Sequence, residues 1–228
     1  MTRIRSLAIF VLLAALPASL IHAQDLRGFR GFQFGTNLIA VAKQTDMKPA
    51  EAKLLHQRPA MIQELWWYRP LGSASLAIDP VREVVFSFYN GELFRMVIKY
   101  DQDRTEGLTD EDMVEAISAK YGIAARPVAA VILFSSSQVY NDSQRVIARW
   151  EDAQYSLNLF HHSYQPTFGV VAFSKQLDNL AQAAVVEAFR LDKKEAPQRE
   201  MERQKKEDAE NRAAQEKAKS VNKPAFRP

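Results

Sequence analysis

Few side chains in this sequence are arranged to carry out chemistry. After the first 23 residues the chain has three histidines, His56, His161 and His162. Neighbouring residues on a strand point to opposite faces of a sheet, so His161 and His162 are not expected to share a metal ion. The chain has no cysteine and neither an H-x-H nor an H-E-x-x-H pattern. The sequence therefore predicts no metal site, no cofactor and no thiolate chemistry.

Serine and carboxylate clusters also have structural explanations. Ser135-Ser136-Ser137 lacks the flanking glycines of a nucleophile elbow and is predicted to end a strand. The pairs Asp101/Asp103 and Glu111/Asp112 stand next to turn and helix-start signals, where carboxylates commonly cap helices. Neither a Walker sequence nor a G-x-G-x-x-G motif occurs. No catalytic residue is predicted.

One segment, Trp66-Trp67-Tyr68-Arg69, is a candidate binding surface. On a strand, Trp66 and Tyr68 face one side and Trp67 the other. Aromatic side chains and arginine are enriched at interface hot spots, which favours contact with a partner or a glycan. The alternative is that these aromatic rings belong to the core, as they do in many antiparallel sheets.

The N-terminus has the order of a secretory signal. Arg3 and Arg5 precede an apolar run from Leu7 to Leu16, and Ala23 offers a cleavage site before Gln24. The run is shorter than the ~20 residues that span a bilayer. We predict a signal peptide over residues 1–23, with an uncleaved N-terminal anchor as the alternative. The predicted location is periplasmic or secreted, with no transmembrane segment after cleavage.

Charge argues against a nucleic-acid partner. The first 23 residues carry two of the 30 basic side chains and none of the 27 acidic ones, so residues 24–228 have a net charge of +1. Nucleic-acid binders concentrate excess positive charge on one face. A hydrophobic content of 47% is sufficient for a packed core.

The clearest local signal is a hairpin around Tyr89-Asn90-Gly91. Its register is expected to place apolar residues on one face. A three-residue loop does this by pairing Phe86 with Phe94 and Val84 with Met96, whereas a two-residue turn sets Phe86 opposite Arg95. The sequence thus favours the three-residue loop, with Phe94 on the apolar face and Ser87, Arg95 and Lys99 on the other.

The remaining elements follow from periodicity and caps. Thr109 and Asp112 form a capping box for a helix that ends at Gly122. Helices are also predicted after Gly35-Thr36-Asn37, with Leu38, Val41 and Ala42 buried, and around Met47–His56. Further strands are predicted at Phe29–Phe34, Met61–Tyr68, Ala74–Ile78, Val128–Phe134, Arg145–Trp150, Tyr155–His161 and Phe168–Ser174. A closing helix is expected to bury Leu177, Leu180, Ala181, Ala184, Val185, Ala188 and Phe189.

The predicted fold class is α+β, with two successive antiparallel meanders each closed by a helix. Residues 25–191 are predicted to fold, with meander halves at about 29–122 and 128–191. Residues 192–228 are predicted to be a polar tail, helical or disordered. Asp192 to Lys219 carries nine basic and eight acidic residues without an apolar stripe.

Residues 30–100 resemble a known family. Gly35-Thr36 at a helix start, Trp67-Tyr68-Arg69 on a strand, and Val85-Phe86 leading to Asn90-Gly91-Glu92-Leu93 are similar to the small exported α+β domains of SmpA/OmlA outer-membrane-assembly lipoproteins. Those domains run helix, helix, meander, with a lipid-bearing cysteine that this chain does not have. The resemblance implies a scaffold or binding role in the cell envelope.

These observations predict an exported, non-enzymatic binding or scaffold protein. An envelope protein or a cell-wall component is the candidate partner, and the oligomeric state is left open. One alternative is a hydrolase or metal-dependent enzyme with an unfamiliar site. The other is a structural linker that forms oligomers through its tail.

Overall fold

The computed structural model describes residues 25–70, 79–127, 145–161, 167–225 and 227. Its strands are β1 (Gly28–Phe29), β2 (Phe32–Gln33), β3 (Lys53–His56), β4 (Ile62–Tyr68), β5 (Val81–Tyr89), β6 (Glu92–Tyr100), β7 (Arg145–Glu151), β8 (Tyr155–His161) and β9 (Phe168–Ser174). Its helices are α1 (Leu38–Gln44), α2 (Gln102–Thr105), α3 (Asp110–Tyr121) and α4 (Lys175–Ala225), with a 3₁₀ turn at Pro49–Glu51. The predicted signal at 1–23, the segments Ala74–Ile78, Val128–Phe134 and Ser135–Ser137, and His162 lie outside the described residues.

Seven of the strands form one antiparallel sheet in the order β3-β4-β5-β6-β9-β8-β7. The first meander is β3 to β6 and the second is β7 to β9. They join where β6 pairs with β9, for example at Val97 and Val171. The predicted α+β class with two successive meanders is confirmed, and the pairing unites them in a single sheet.

One face of the sheet is apolar and carries the main core. It presents large buried side chains from six strands, and α1, α3 and the β1–β2 hairpin lie over it. Asn37 caps α1 by accepting from the backbone N–H of Ala40 at 2.8 Å, and Val41 and Ala42 are fully buried as predicted. The buried side chains on this face include Leu65, Phe86, Phe88, Leu93, Met96, Ile98, Trp150, Leu157, Leu159 and Val170.

Helix α3 begins and ends where the sequence indicates. Thr109 and Asp112 form the predicted capping box, and Gly122, with φ of 83°, ends the helix. The indole N–H of Trp150 on β7 donates to the carbonyl oxygen of Gly122 at 3.0 Å. This bond holds the end of α3 against the second meander.

The opposite face of the sheet is crossed by α4. Ile62 of β4, Phe94 of β6 and Ala181 of α4 form a small buried cluster there. Beside it lie four polar residues in one line across the strands, called here the polar row: Glu64, Ser87, Arg95 and Ser156. Glu64 pairs with Ser87 and Ser87 with Arg95, and Phe173 lies between Arg95 and Ser156. All four are buried although their side chains are polar or charged.

The predicted three-residue hairpin loop is wrong. Tyr89 pairs with Glu92, which leaves a two-residue Asn90-Gly91 turn with positive φ at both residues. A bulge follows, because Phe88 pairs with Leu93 but Ser87 pairs with Arg95. The extra residue is Phe94, which lies on the α4 face rather than the predicted apolar face. The bulge restores the apolar face beyond it, where Phe86 pairs with Met96 and not with Phe94.

The predicted helix over Met47–His56 is also wrong. The chain forms only the short 3₁₀ turn Pro49–Glu51 and then strand β3 at the edge of the sheet. Lys53 and Leu54 pair with Glu64 and Gln63 of β4. Pairing with a neighbouring strand therefore overrides the local helical pattern.

The predicted closing helix is confirmed as α4, which begins at Lys175 and continues well beyond the predicted buried residues. Ala181, Ala184 and Ala188 are buried as predicted, whereas Leu180 and Phe189 are 45% and 47% exposed, contrary to prediction. The helix continues through residues 192–225, so the helical alternative for the tail holds over that range. Among the described residues, no helix combines the length and apolar character needed to cross a membrane.

Candidate functional site

The end of β4 carries the predicted binding segment, and alternation along the strand divides it between the two faces. Trp66 and Tyr68 lie on the α4 face, with ring centroids 6.4 Å apart. Tyr68 is 56% exposed. Trp66 is half-buried against a small cluster that includes Val85 and Val97, and its indole N–H donates to Glu64 at 3.2 Å. The two rings form an aromatic edge at the surface, called here the Trp66–Tyr68 edge.

Trp67 turns to the apolar face and packs against the main core. It also lines a cavity of about 400 Å³ between the sheet and the β1–β2 hairpin. The walls of this first cavity are largely apolar, with Phe32 and Phe86 among them, and its charged residues are of both signs. Arg30 and Asp79 form an ion pair of 2.7 Å there.

Arg69 is held by the fold. Its guanidinium donates to the backbone carbonyl of Asp79 at 3.0 Å and pairs with the carboxylate of Asp101. Asp101 also accepts from the backbone N–H of Asp103, as a helix cap does. The structure therefore separates the four predicted residues: the Trp66–Tyr68 edge faces outwards on one side, Trp67 faces the core, and Arg69 joins β4 to the start of α2.

Histidines and carboxylates do not converge in the part of the chain that the structure describes. His56 contacts the ring of Phe189 at 5.3 Å, and His161 contacts the ring of Phe168 at 5.0 Å. In these described ranges, no three histidine or carboxylate side chains are grouped so as to hold a metal ion. Asp112 serves the α3 cap, where bonds from Thr109 lower the pKa of its carboxyl.

The polar row meets α4 through a buried ion pair. The Nε of Arg95 donates to Asp178 at 2.7 Å, and Gln182 donates to the other carboxylate oxygen at 2.6 Å. Burial raises the pKa of the Asp178 carboxyl, although Arg95 and Gln182 favour its charged form. A pair of this kind fixes where the helix lies on the sheet, because either charge alone would be costly to bury. No residue spacing in the sequence predicts this ion pair, because its two members lie 83 positions apart.

The second part of α4, residues 196–225, is called here the arm. The bidentate pair between Arg58 and Glu195, with bonds of 3.1 and 2.6 Å, is a contact of the helix with the body close to where the arm begins. From residue 196 to residue 224 every side chain is exposed. Pairs along the helix itself, such as Arg203 with Glu200 at 2.7 Å and Glu207 at 3.2 Å, support it.

A second cavity, of about 380 Å³, lies between α3 and the β1–β2 hairpin. Phe29 and Arg30 at the hairpin turn line both cavities. Arg30 has a positive φ of 54° ahead of Gly31 with φ of 89°, so the turn projects its side chain between the two. No motif in the sequence marks Arg30 as a lining residue of either cavity.

Comparison with known proteins gives no relative from which a role could be transferred. No protein-family model matches the chain, and neither the curated proteins nor the solved structures contain a match.

Proposed function

We propose that this protein is an exported, non-enzymatic scaffold of the cell envelope. In this proposal the folded body makes one contact and the arm of α4 makes a second, at a distance from the body. The export signal predicted at residues 1–23 supports the location, and the resemblance of residues 30–100 to exported envelope domains points the same way.

The observation that carries the proposal is the arm. A helix that is polar all round is typical of segments that bridge through solvent, since it offers no apolar face to the body. Its 30 residues extend about 45 Å at 1.5 Å per residue. Exposed ion pairs along the helix add to its helical propensity, as between Lys206 and Glu210 at 3.9 Å. A helical spacer of this length, with Pro197 near its start, suits a protein that holds two envelope components apart.

The Trp66–Tyr68 edge is the proposed contact of the body. Tyr68 is exposed and lies beside Trp66, so an aromatic surface is available next to the ion pair of Lys99 with Glu83 at 3.2 Å. Aromatic residues are enriched at the centres of protein interfaces, and polar residues form the rim. The candidate partner is an envelope protein or a cell-wall component.

Pull-down from envelope extract tests the two contacts separately. We compare the full-length protein with Tyr68→Ala and with a chain that ends at Gln198, keeping the Arg58–Glu195 pair. Tyr68→Ala is expected to lose one partner and the shortened chain another. Ile39→Ala is the matched control, because Ile39 is 68% exposed but lies on α1.

Identical recovery by all four proteins contradicts the scaffold proposal. A fall in solution mass beyond the deleted residues, measured by light scattering on the shortened chain, indicates instead that the tail forms oligomers. Fractionation tests the location, since the mature protein is expected outside the cytosol with Gln24 as its first residue.

A further inference from the structure

The second cavity combines apolar walls with charges of one sign. Its apolar lining includes Phe29, Met113 and Ile117, which are buried, and Leu108, which is 44% exposed. Its charged residues are Arg30, Arg104 and Lys120, and no carboxylate lines it among the described residues. The first cavity differs in this respect, because Asp46 and Asp79 accompany Arg30 there.

Two buried tyrosines line the same cavity. Tyr100 at the end of β6 and Tyr121 at the end of α3 are 9% and 8% exposed, and both line it. Neither hydroxyl has a hydrogen-bond partner within the described ranges. A buried hydroxyl without a partner loses the hydrogen bonds that water would give it, so a ligand atom that accepts from it is favoured.

The charge of Arg30 acts on both tyrosines. Arg30, Tyr100 and Tyr121 line the same cavity. Burial raises the pKa of Tyr100 and of Tyr121 to about 12, the guanidinium of Arg30 lowers each, and the carboxylate of Asp79 raises that of Tyr100. Asp79 accepts from Nη1 of Arg30 at 2.7 Å. A guanidinium has five N–H donors, so the pair with Asp79 leaves donors for a second acceptor.

We propose that the second cavity binds an amphipathic anion, with an apolar chain or ring on Phe29, Met113 and Ile117 and a carboxylate or phosphate between Arg30, Tyr100 and Tyr121. Lys120 and Arg104 at the rim attract the same charge. A volume of about 380 Å³ falls within the usual range of small-molecule sites. This site is independent of the arm and of the Trp66–Tyr68 edge.

Calorimetric titration of the full-length protein tests the charge requirement with four probes of equal chain length. Decanoate and decyl phosphate carry the two candidate anionic groups, decanol is neutral, and decyltrimethylammonium is cationic. An anion is expected to bind about ten-fold more tightly than decanol, as a charge-assisted hydrogen bond allows. The stronger of the two anions identifies the head group. Equal binding of decanol, preference for the cation, or no binding of either anion overturns the proposal.

Two variants at exposed positions and one conservative variant at a buried position locate the site. Lys120→Gln and Arg104→Gln are each expected to weaken anion binding about five-fold to ten-fold. Tyr121→Phe keeps the ring and removes one donor, and a similar loss is expected. Lys43→Gln is the matched control, because Lys43 lies in the last turn of α1 and lines neither cavity. An equal loss in Lys43→Gln, or no loss in the other three, places the anion elsewhere and overturns the proposal.

Discussion

The two faces of the sheet bury different kinds of side chain. The face under α1, α3 and the β1–β2 hairpin is an apolar layer, in which Phe86 contacts Phe32 with ring centroids 4.7 Å apart. The face under α4 buries the polar row and the Arg95–Asp178 pair beside a smaller apolar cluster. An apolar layer gains stability from area removed from water but specifies position weakly. A buried charge pair contributes little net stability, and it permits one docking position for the helix.

The largest expected effect comes from a cavity in the apolar face. Phe86→Ala is expected to lower the free energy of unfolding by about 3–5 kcal/mol, because Phe86 is fully buried between strands and the β1–β2 hairpin. Urea denaturation measures the change. Met96→Leu conserves volume on the same face and is expected to cost less than about 1.5 kcal/mol. If both variants lose the same free energy of unfolding, the stability of this face depends on the particular shapes of its side chains and not on the volume they fill.

Removing one partner of the buried ion pair is expected to have the next largest effect. Arg95→Met leaves Asp178 buried opposite an apolar side chain and is expected to cost about 3 kcal/mol at neutral pH. The double variant Arg95→Met/Asp178→Leu is expected to recover most of that loss, since neither charge remains. A double variant no more stable than Arg95→Met contradicts the view that the pair serves position more than stability.

The pH dependence of the same variant sharpens this test. Burial raises the pKa of Asp178 above its value in the unfolded chain, so this carboxyl favours the folded state at low pH and less so as pH rises through the raised pKa. The loss in free energy of unfolding caused by Arg95→Met is therefore expected to become smaller as the solution is acidified. A loss that grows on acidification shows that the pKa of Asp178 is not raised in the fold.

The smallest effect near neutrality concerns the tyrosines of the apolar layer. Burial raises the pKa of Tyr100 and Tyr121 to about 12, against 10.0 for the ordinary side chain. Their contribution to stability is complete below the unfolded value and is lost as pH rises from about 10 towards 12. Ultraviolet titration of tyrosinate is expected to show two late groups that coincide with alkaline unfolding. If Tyr100 and Tyr121 lose their protons at the same pH as the exposed tyrosines, the prediction that they are buried is contradicted.

Local signals in the sequence were sufficient for the caps and for most strands. The capping box of α3 and the Asn37 cap of α1 depend on residues close together in the chain. The predicted hairpin register was wrong because it assumed that side chains alternate between the two faces without interruption along both strands. With a bulge at Phe94, the two-residue Asn90-Gly91 turn is compatible with an apolar face. Phe94 packs in a cluster with Ala181 of α4, which is distant in sequence.

The candidate sites could be predicted only in part. Alternation along β4 correctly separates Trp66 and Tyr68 from Trp67, because it depends on the strand alone. The role of Arg69 could not be derived, since its partner Asp101 belongs to another element. The second cavity draws on the hairpin turn, β6, α2 and α3, so no spacing in the sequence brings Arg30 near Tyr100 and Tyr121.

The position of β9 in the sheet has a consequence for the nascent chain. Strand β6 is a central strand of the finished sheet, yet its partner β9 is completed only at Ser174. Until that residue has been synthesised, the long apolar strand from Glu92 to Tyr100 is an open edge with unpaired backbone groups. Such edges readily pair with other chains. The first meander is therefore most open to such pairing before the second meander has formed.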